Sequence, residues 1–172
     1  MTMAKPLANG YPIGAVLMRD SIATTMTAGK VNMPDVNNAN VFTPIGTHGT
    51  TFGGSPMACA VGHHVLTRLS STTSMDHVQE ISAYLDGRLE SLTQWFPDLI
   101  QNKIRGRGLL RGLGFNNQAH PGQVVQLARE RGVLVLTAGA DAVRLVPSLN
   151  VEREEVDMAV DVLEGCLTVL RG

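Results

Sequence analysis

Hydrophobic residues recur at every third or fourth position in three segments of the chain, a spacing that places them on one face of a helix. The segments cover residues 56–69, 75–96 and about 151–170. Pro97 is expected to end the second helix, because proline lacks the amide hydrogen that a continuing helix needs. The predicted core positions are Met57, Val61, Val65, Leu69, Val78, Ile81, Leu85, Leu89, Leu92, Phe96, Val156, Val160, Leu163, Leu167 and Leu170.

Short apolar runs that are bounded by glycine or proline predict strands. Residues 11–18 fit a buried strand, and residues 105–115 fit a bent strand or a strand pair. Two further short strands are predicted over residues 133–136 and 142–146. The glycines of 105–115 do not follow the GxGxxG spacing, and no helix opens after them, so we reject a nucleotide-binding loop there.

The remaining segments predict two short helices and one long loop. Residues 121–131 fit a helix that Gly132 closes, and residues 20–28 fit a shorter one. Residues 30–46 are rich in Asn and Pro and have no periodicity, which is typical of a loop. The helices and short strands of the second half predict an α+β domain from about residue 71 to 172, whereas the first part resembles the edge of something larger.

Composition narrows the possible partners and compartments. The chain has 172 residues, of which 44% are hydrophobic, enough for a buried core. A net charge of −1 argues against a nucleic-acid partner, and no apolar run is long enough to cross a bilayer. Cys59 and Cys166 are far apart, match no metal spacing and suit a reducing compartment. No signal or transit peptide is recognised at the start of the chain.

A single lysine, Lys5, stands among small and apolar residues in the stretch MAKPLANGYPIGA. If its neighbours are buried, desolvation lowers the pKa of the amine and makes it a nucleophile toward carbonyl groups. Lys5 would then hold an aldehyde cofactor as a Schiff base. The alternative is a lysine whose aliphatic stem lies along apolar surface at the end of a strand.

The stretch THGTTFGGSP combines glycines and hydroxyl groups immediately before a predicted helix. Ser55 is a suitable N-cap and Pro56 a suitable first helical residue. Hydroxyl groups and exposed amides at such a position can bind phosphate oxygens. An ordinary glycine-rich turn that caps a helix accounts for the same residues.

Arg144 lies inside the apolar run of residues 142–146 and needs a partner if it is buried, since an unpaired buried charge is costly. It could clamp a substrate carboxylate with two hydrogen bonds. It could equally form an internal ion pair or face an edge. His63 and His64 are adjacent and cannot share a helix face, so no metal site is expected.

Three separated segments resemble the class III, ornithine-type aminotransferases, which use pyridoxal 5′-phosphate. AKPLANGYPIGA resembles the stretch with the cofactor lysine, which implies that Lys5 is catalytic and binds the cofactor. THGTTFGGSP resembles a second hallmark, although the family usually has Asn where this chain has Ser55; it implies that Thr51, with Thr50 beside it, binds the cofactor phosphate of the neighbouring subunit. RLVPSLN resembles the segment whose arginine grips the substrate α-carboxylate, which implies that role for Arg144.

The resemblance also implies a fold and its partners. The fold class would be α/β, as a C-terminal fragment of a fold-type I transferase. Residues 1–54 would belong to the large cofactor-binding domain, with 30–46 as an atypical insert, 55–70 to an interdomain helix, and 71–172 to a small α+β domain. The implied partners are amino-acid and 2-oxoacid substrates and a second subunit in a homodimer. Similarity to fungal members implies the mitochondrial matrix, and otherwise the cytoplasm.

Two departures from the family qualify these expectations. No counterpart is found for the family's glycine-rich phosphate segment, its ring-stacking aromatic residue or the aspartate that pairs with the pyridine nitrogen. The chain alone is therefore expected to be inactive and to hold the cofactor poorly. Residues 30–46 would be either a real surface loop or a retained intron. Class III enzymes that act on ornithine, succinylornithine or 4-aminobutyrate share the three motifs, so the amino donor stays open. A non-catalytic α+β module that binds a partner or dimerises is the alternative from another functional class.

Overall fold

A computed structural model describes residues 1–27 and 51–172, with the side chains of 24–27 left aside. These residues form two compact units, Met1–Ser70 and Ser71–Gly172. The predicted loop at 30–46 and the predicted cofactor-binding Thr50 lie outside the described residues. No helix in the described ranges is both long enough and apolar enough to span a membrane.

In its described residues, the first unit contains two short strands, a 3-10 helix at Lys5–Ala8 and two α-helices. The two strands pair antiparallel, with Thr2 opposite Val16 and Met3 opposite Ala15. The 3-10 helix lies between them in sequence and packs against the second α-helix. The bounds are β1 Thr2–Met3, β2 Ala15–Val16, α1 Asp20–Thr27 and α2 Pro56–Leu69.

The bounds predicted for α2 are confirmed, with Ser55 as its N-cap and Pro56 at its first position. Its buried face differs from the prediction, because Ala58 and Gly62 are buried whereas Met57 is 61% exposed. A Cβ at Gly62 would lie only 3.2 Å from the Ile13 side chain. The helix therefore turns small residues toward the segment that it packs against.

The predicted buried strand over residues 11–18 is wrong. Only Ala15 and Val16 are in a strand, and Tyr11, Val16 and Leu17 are exposed. Among the described residues, β2 pairs only with the two-residue β1, so most of the apolar run has no ladder to join. The apolar composition predicted burial, but a strand also needs a partner for its amides.

The second unit is a four-stranded antiparallel sheet with three helices. The strand order is β3-β4-β6-β5, so β4 and β6 are the inner strands. Both long helices contribute their predicted apolar stripes to one core, in which Leu89, Val160 and Leu163 are at most 1% exposed. The bounds are α3 Thr72–Trp95, β3 Ile100–Arg107, β4 Leu110–Phe115, α4 His120–Glu130, β5 Leu136–Ala138, β6 Ala142–Leu145 and α5 Arg153–Arg171.

The helix ends follow from local hydrogen bonds. Helix α3 begins three residues before its predicted start because the Ser71 hydroxyl accepts from the Ser74 amide at 3.3 Å. Helix α5 begins with a capping box, in which the amide of Glu152 donates to the Glu155 carboxylate at 2.9 Å. Helix α4 ends as predicted, with Gly132 at a φ of +84°.

The predicted strand over residues 133–136 is displaced, since β5 covers Leu136–Ala138. The closure of α4 gives the reason. The amide of Val133 donates to the carbonyl of Ala128 at 2.9 Å, and that of Gly132 to Arg129 at 3.1 Å. This pair of bonds is a Schellman motif. Val133, the first residue of the predicted strand, therefore caps the C-terminus of α4 and does not join the sheet.

Candidate functional site

Lys5 is the first residue of the 3-10 helix, and its side chain is exposed. Ala4 and Pro6 are exposed as well, so the prediction that burial desolvates the amine is wrong. The backbone at Lys5 has a φ of +53°, in the left-handed region. This conformation costs a residue with a Cβ about 1–2 kcal/mol, and such outliers cluster at functional sites.

The segment around Lys5 is held by short-range hydrogen bonds and by one buried residue. The amide of Asn9 donates to Pro6 and that of Tyr11 to Ala8, each at 3.0 Å. Ala8 is only 2% exposed. Asn9 has a φ of +49°, a conformation that asparagine adopts more readily than lysine does. The lysine amine is thus presented to solvent from a fixed backbone.

Thr51 is exposed and opens the turn that leads into α2. The turn is closed by the Ser55 amide, which donates to the Phe52 carbonyl at 3.2 Å, and by Gly54 with a φ of +71°. Although Ser55 is the N-cap, its side chain forms no capping hydrogen bond. The first-turn amides of α2 are therefore not capped by Ser55, and such amides favour an anion.

Arg144 lies on inner strand β6, and its side chain is exposed on the face of the sheet that points away from the core. Its neighbours Val143 and Leu145 face the core. We find no hydrogen bond or ion pair of Arg144 within residues 1–27 and 51–172, so the interpretation as an internal ion pair is not supported. The edge interpretation is wrong too, because β6 is flanked on both sides.

A polar network that the sequence pattern did not predict occupies the same exposed face. The Arg105 guanidinium on β3 donates to both carboxylate oxygens of Asp141, at 2.9 and 2.6 Å. Gln101 accepts from Arg105 at 2.7 Å and donates to the Phe115 carbonyl at 3.0 Å. The hydrogen bond from Arg105 lowers the pKa of the Asp141 carboxyl to about 2.

A second arginine that sequence reasoning did not single out is buried in the same unit. Arg111 on β4 is 7% exposed and donates to Asp86 at 2.6 Å and to Ser82 at 3.1 Å, both on α3. It lines a polar cavity of about 400 Å³ together with Glu90 and Lys103. Since the sequence pattern showed only a glycine-rich strand, no local signal indicated this pair.

Lys5 and Thr51 belong to the first unit, on segments that α2 contacts or follows directly. Arg144, Arg105 and Asp141 belong to the second unit. Within the described part of the chain, no group of three or more potential metal ligands is found.

Comparison with known families identifies this combination of segments. The model of the class-III aminotransferases matches residues 1–167. The chain belongs to the class-III aminotransferases. The match includes all three segments that carry the resemblance.

Individual class-III aminotransferases extend the comparison. The chain is 39% identical to a mitochondrial acetylornithine aminotransferase of Yarrowia lipolytica, over 97% of this chain and 36% of the relative. A crystal structure of an acetylornithine aminotransferase from Elizabethkingia anophelis aligns with a TM-score of 0.78 and 26% identity, over 98% of this chain and 40% of that one. A lysine aminotransferase from M. tuberculosis aligns with a TM-score of 0.68 and 29% identity, over 76% and 30%.

These alignments confirm the predicted fold class, a mixed α/β portion of the aminotransferase fold. The chain spans about a third of the length of the curated relative. The roles of Lys5, Thr51 and Arg144 stay predictions.

Proposed function

We propose that the chain acts as part of an acetylornithine aminotransferase. The reaction converts N2-acetyl-L-ornithine and 2-oxoglutarate into N-acetyl-L-glutamate 5-semialdehyde and L-glutamate, a step of arginine biosynthesis. The observation that carries the proposal is the exposed amine of Lys5 on a left-handed backbone, within the segment that the family model matches. The similarity to the Yarrowia lipolytica enzyme supports the choice of substrate.

The family implies pyridoxal 5′-phosphate as cofactor, and the residues present fit that group. Its aldehyde needs a primary amine, and Lys5 presents one to solvent. Its phosphate needs hydroxyl and amide donors, and Thr51 lies exposed before the N-terminus of α2, where Ser55 supplies no side-chain cap. When bound, the cofactor would supply the aldehyde carbon that receives the amino group and the electron sink for the electrons left on the substrate α-carbon.

The chain's own residues supply binding and proton transfer. Lys5 would hold the cofactor and, once its amine is free, move a proton at the substrate α-carbon. The Thr51 hydroxyl would donate to a phosphate oxygen of the neighbouring subunit's cofactor. Arg144 would bind the α-carboxylate of either substrate with two hydrogen bonds, because its guanidinium is exposed and forms no ion pair in the described ranges.

We assign residues 1–54 to the large cofactor-binding domain, 55–70 to an interdomain helix and 71–172 to the small domain. The compactness of Ser71–Gly172 supports the last assignment. A homodimer and a mitochondrial location complete the proposal; the location is supported by the mitochondrial naming of the fungal relative. A different amino donor is the second candidate, which the alignment with a lysine aminotransferase favours.

Reductive trapping tests the role of Lys5. The chain has three lysines, Lys5, Lys30 and Lys103, so each can be followed by peptide mass spectrometry. We expect pyridoxal phosphate and borohydride to modify Lys5 severalfold faster than Lys103, which is exposed on β3 and serves as the internal control. Equal modification of the two would show that this chain does not bind the cofactor at Lys5.

Competition by amino donors tests the substrate. N-acetylornithine should reduce trapping at Lys5 more than lysine, ornithine or 4-aminobutyrate does at the same concentration. Trapping at Lys103 corrects for the reaction of free amines with the aldehyde. A stronger effect of lysine than of N-acetylornithine would select the second candidate, and a Lys5→Ala variant should abolish the donor-dependent signal.

A further inference from the structure

Strand β4 has glycine at two alternate positions, Gly112 and Gly114, so one face of the strand has no side chain there. We call this part of the sheet the bare strip. A Cβ at Gly114 would lie 2.5 Å from the Gln101 amide oxygen and 3.1 Å from an Arg105 nitrogen, and one at Gly112 would lie 3.5 Å from the Arg105 Cβ. The side chains of Arg105 and Gln101 therefore lie across this bare strip. The strip allows Arg105 on β3 to reach Asp141, which directly precedes β6.

Arg144 belongs to the same row of the sheet. Gly112 is opposite Arg105 on one side and opposite Arg144 on the other. With strands about 4.8 Å apart, the backbones of the two arginines lie about 10 Å apart on one face. Asp141 is three residues before Arg144, which is again a span of about 10 Å along the chain. Arginine and aspartate side chains can bridge such a span.

Asp141 is thus the carboxylate within reach of Arg144 for an ion pair. Its oxygens already accept hydrogen bonds from Arg105. Both oxygens of Asp141 accept from the Arg105 fork, and Gln101 donates to one of them at 3.4 Å. The backbone carbonyl of Asp141 also accepts from the Phe115 amide at 2.6 Å, which fixes the residue. Arg144 keeps an exposed guanidinium without an ion pair in the described ranges.

We propose that Arg105 is a positioning residue, which holds Asp141 across the glycines of β4 and so keeps Arg144 free to bind a substrate carboxylate. The proposal rests on the proposed function for the role of Arg144. It differs from it in assigning a task to a residue that does not itself contact the substrate. The device needs all three features together: the fork of Arg105, the bare strip of β4, and an aspartate at the start of β6.

Arginine labelling tests the proposal without requiring cofactor or turnover. Phenylglyoxal modifies accessible arginines, and peptide mass spectrometry gives the rate at Arg144 relative to exposed Arg129. In the Arg105→Gln variant, Asp141 should turn to Arg144 and slow its labelling about two- to five-fold, the range of an exposed ion pair. Adding Asp141→Asn should restore the wild-type rate.

Slower labelling distinguishes capture of Arg144 by Asp141 from unfolding, and a second control variant distinguishes it from a change in local charge. Unfolding would expose Arg144 and accelerate its labelling. Loss of a neighbouring positive charge would slow it, because phenylglyoxal reacts with the neutral guanidine; Arg107→Gln removes an exposed cation of β3, leaves Arg105 on Asp141, and should label at nearly the wild-type rate. Arg105→Lys keeps a cation beside Asp141 and should label at nearly the wild-type rate. Arg171→Gln is the matched control, because it breaks an exposed ion pair with Asp98 elsewhere in the unit.

Unchanged or faster labelling of Arg144 in Arg105→Gln would overturn the proposal. So would slow labelling that persists after Asp141→Asn is added. Neither result depends on whether Lys5 is trapped by pyridoxal phosphate, so failure of this inference and failure of the proposed function remain distinguishable.

Discussion

The left-handed backbone at Lys5 predicts an unusual order of stability, in which Lys5→Gly is more stable than Lys5→Ala. A φ of +53° costs alanine about 1–2 kcal/mol that glycine does not pay. Glycine in turn gains about 0.4–1 kcal/mol of chain entropy in the unfolded state. The segment should therefore be more stable in Lys5→Gly than in Lys5→Ala by roughly 0.5–1 kcal/mol. This free energy corresponds to about a two- to five-fold change in the local opening equilibrium.

Hydrogen exchange measures this equilibrium within the segment itself. The amides of Asn9 and Tyr11 donate within the segment, so NMR should show them exchanging about two- to five-fold more slowly in Lys5→Gly than in Lys5→Ala. Ala4 is the matched control, because its φ of −160° is extended. Ala4→Gly should therefore accelerate exchange. Faster or equal exchange in Lys5→Gly would show that the backbone at Lys5 is not strained.

Two further predictions concern the second unit. Gly108→Ala should cost about 1–2 kcal/mol, since its φ is +58° and its surroundings are open, whereas Gly106→Ala should cost more than roughly 3 kcal/mol, because its Cβ would lie 2.1 Å from the Leu110 carbonyl oxygen. Urea denaturation followed by the single tryptophan measures both, and equal costs would contradict the clash. The Asp141 pKa is lowered from 3.8 to about 2 by Arg105, so the pair stabilises the native state above about pH 4 and loses that effect toward pH 2. The urea midpoint should fall over this range in the wild type and fall less in Asp141→Asn, which lacks the titrating carboxyl; identical pH profiles would refute the linkage.

Periodicity predicted the long helices well because the signal for a helix is local. The apolar stripe of α3 includes Ile81, Leu85 and Leu89, and all three are buried. Helix ends were predicted less exactly, since they depend on single side chains such as Ser71. A helix satisfies its own backbone, so the neighbouring units hardly alter where it forms.

Strands and site residues were harder to predict, because both depend on residues far away in sequence. The apolar run at 11–18 resembled a strand, yet β1 offers it only two partners. Lys5 was expected to be buried from the character of its neighbours, but exposure depends on what covers them. The proposed role of Lys5 therefore depends on the family match and on the backbone φ, and no longer on desolvation.

The glycines of β4 show what a sequence motif can and cannot reveal. Their spacing excluded a nucleotide-binding loop, but it did not suggest an alternative. In a strand, positions two apart face the same side, so Gly112 and Gly114 already imply a bare strip. What the sequence could not tell is which side chain fills that strip, because Arg105 and Asp141 are 36 residues apart and meet only through the register of three strands. A pair of alternate glycines in an inner strand is therefore a reason to look for a long side chain from one neighbouring strand that reaches a partner on the other.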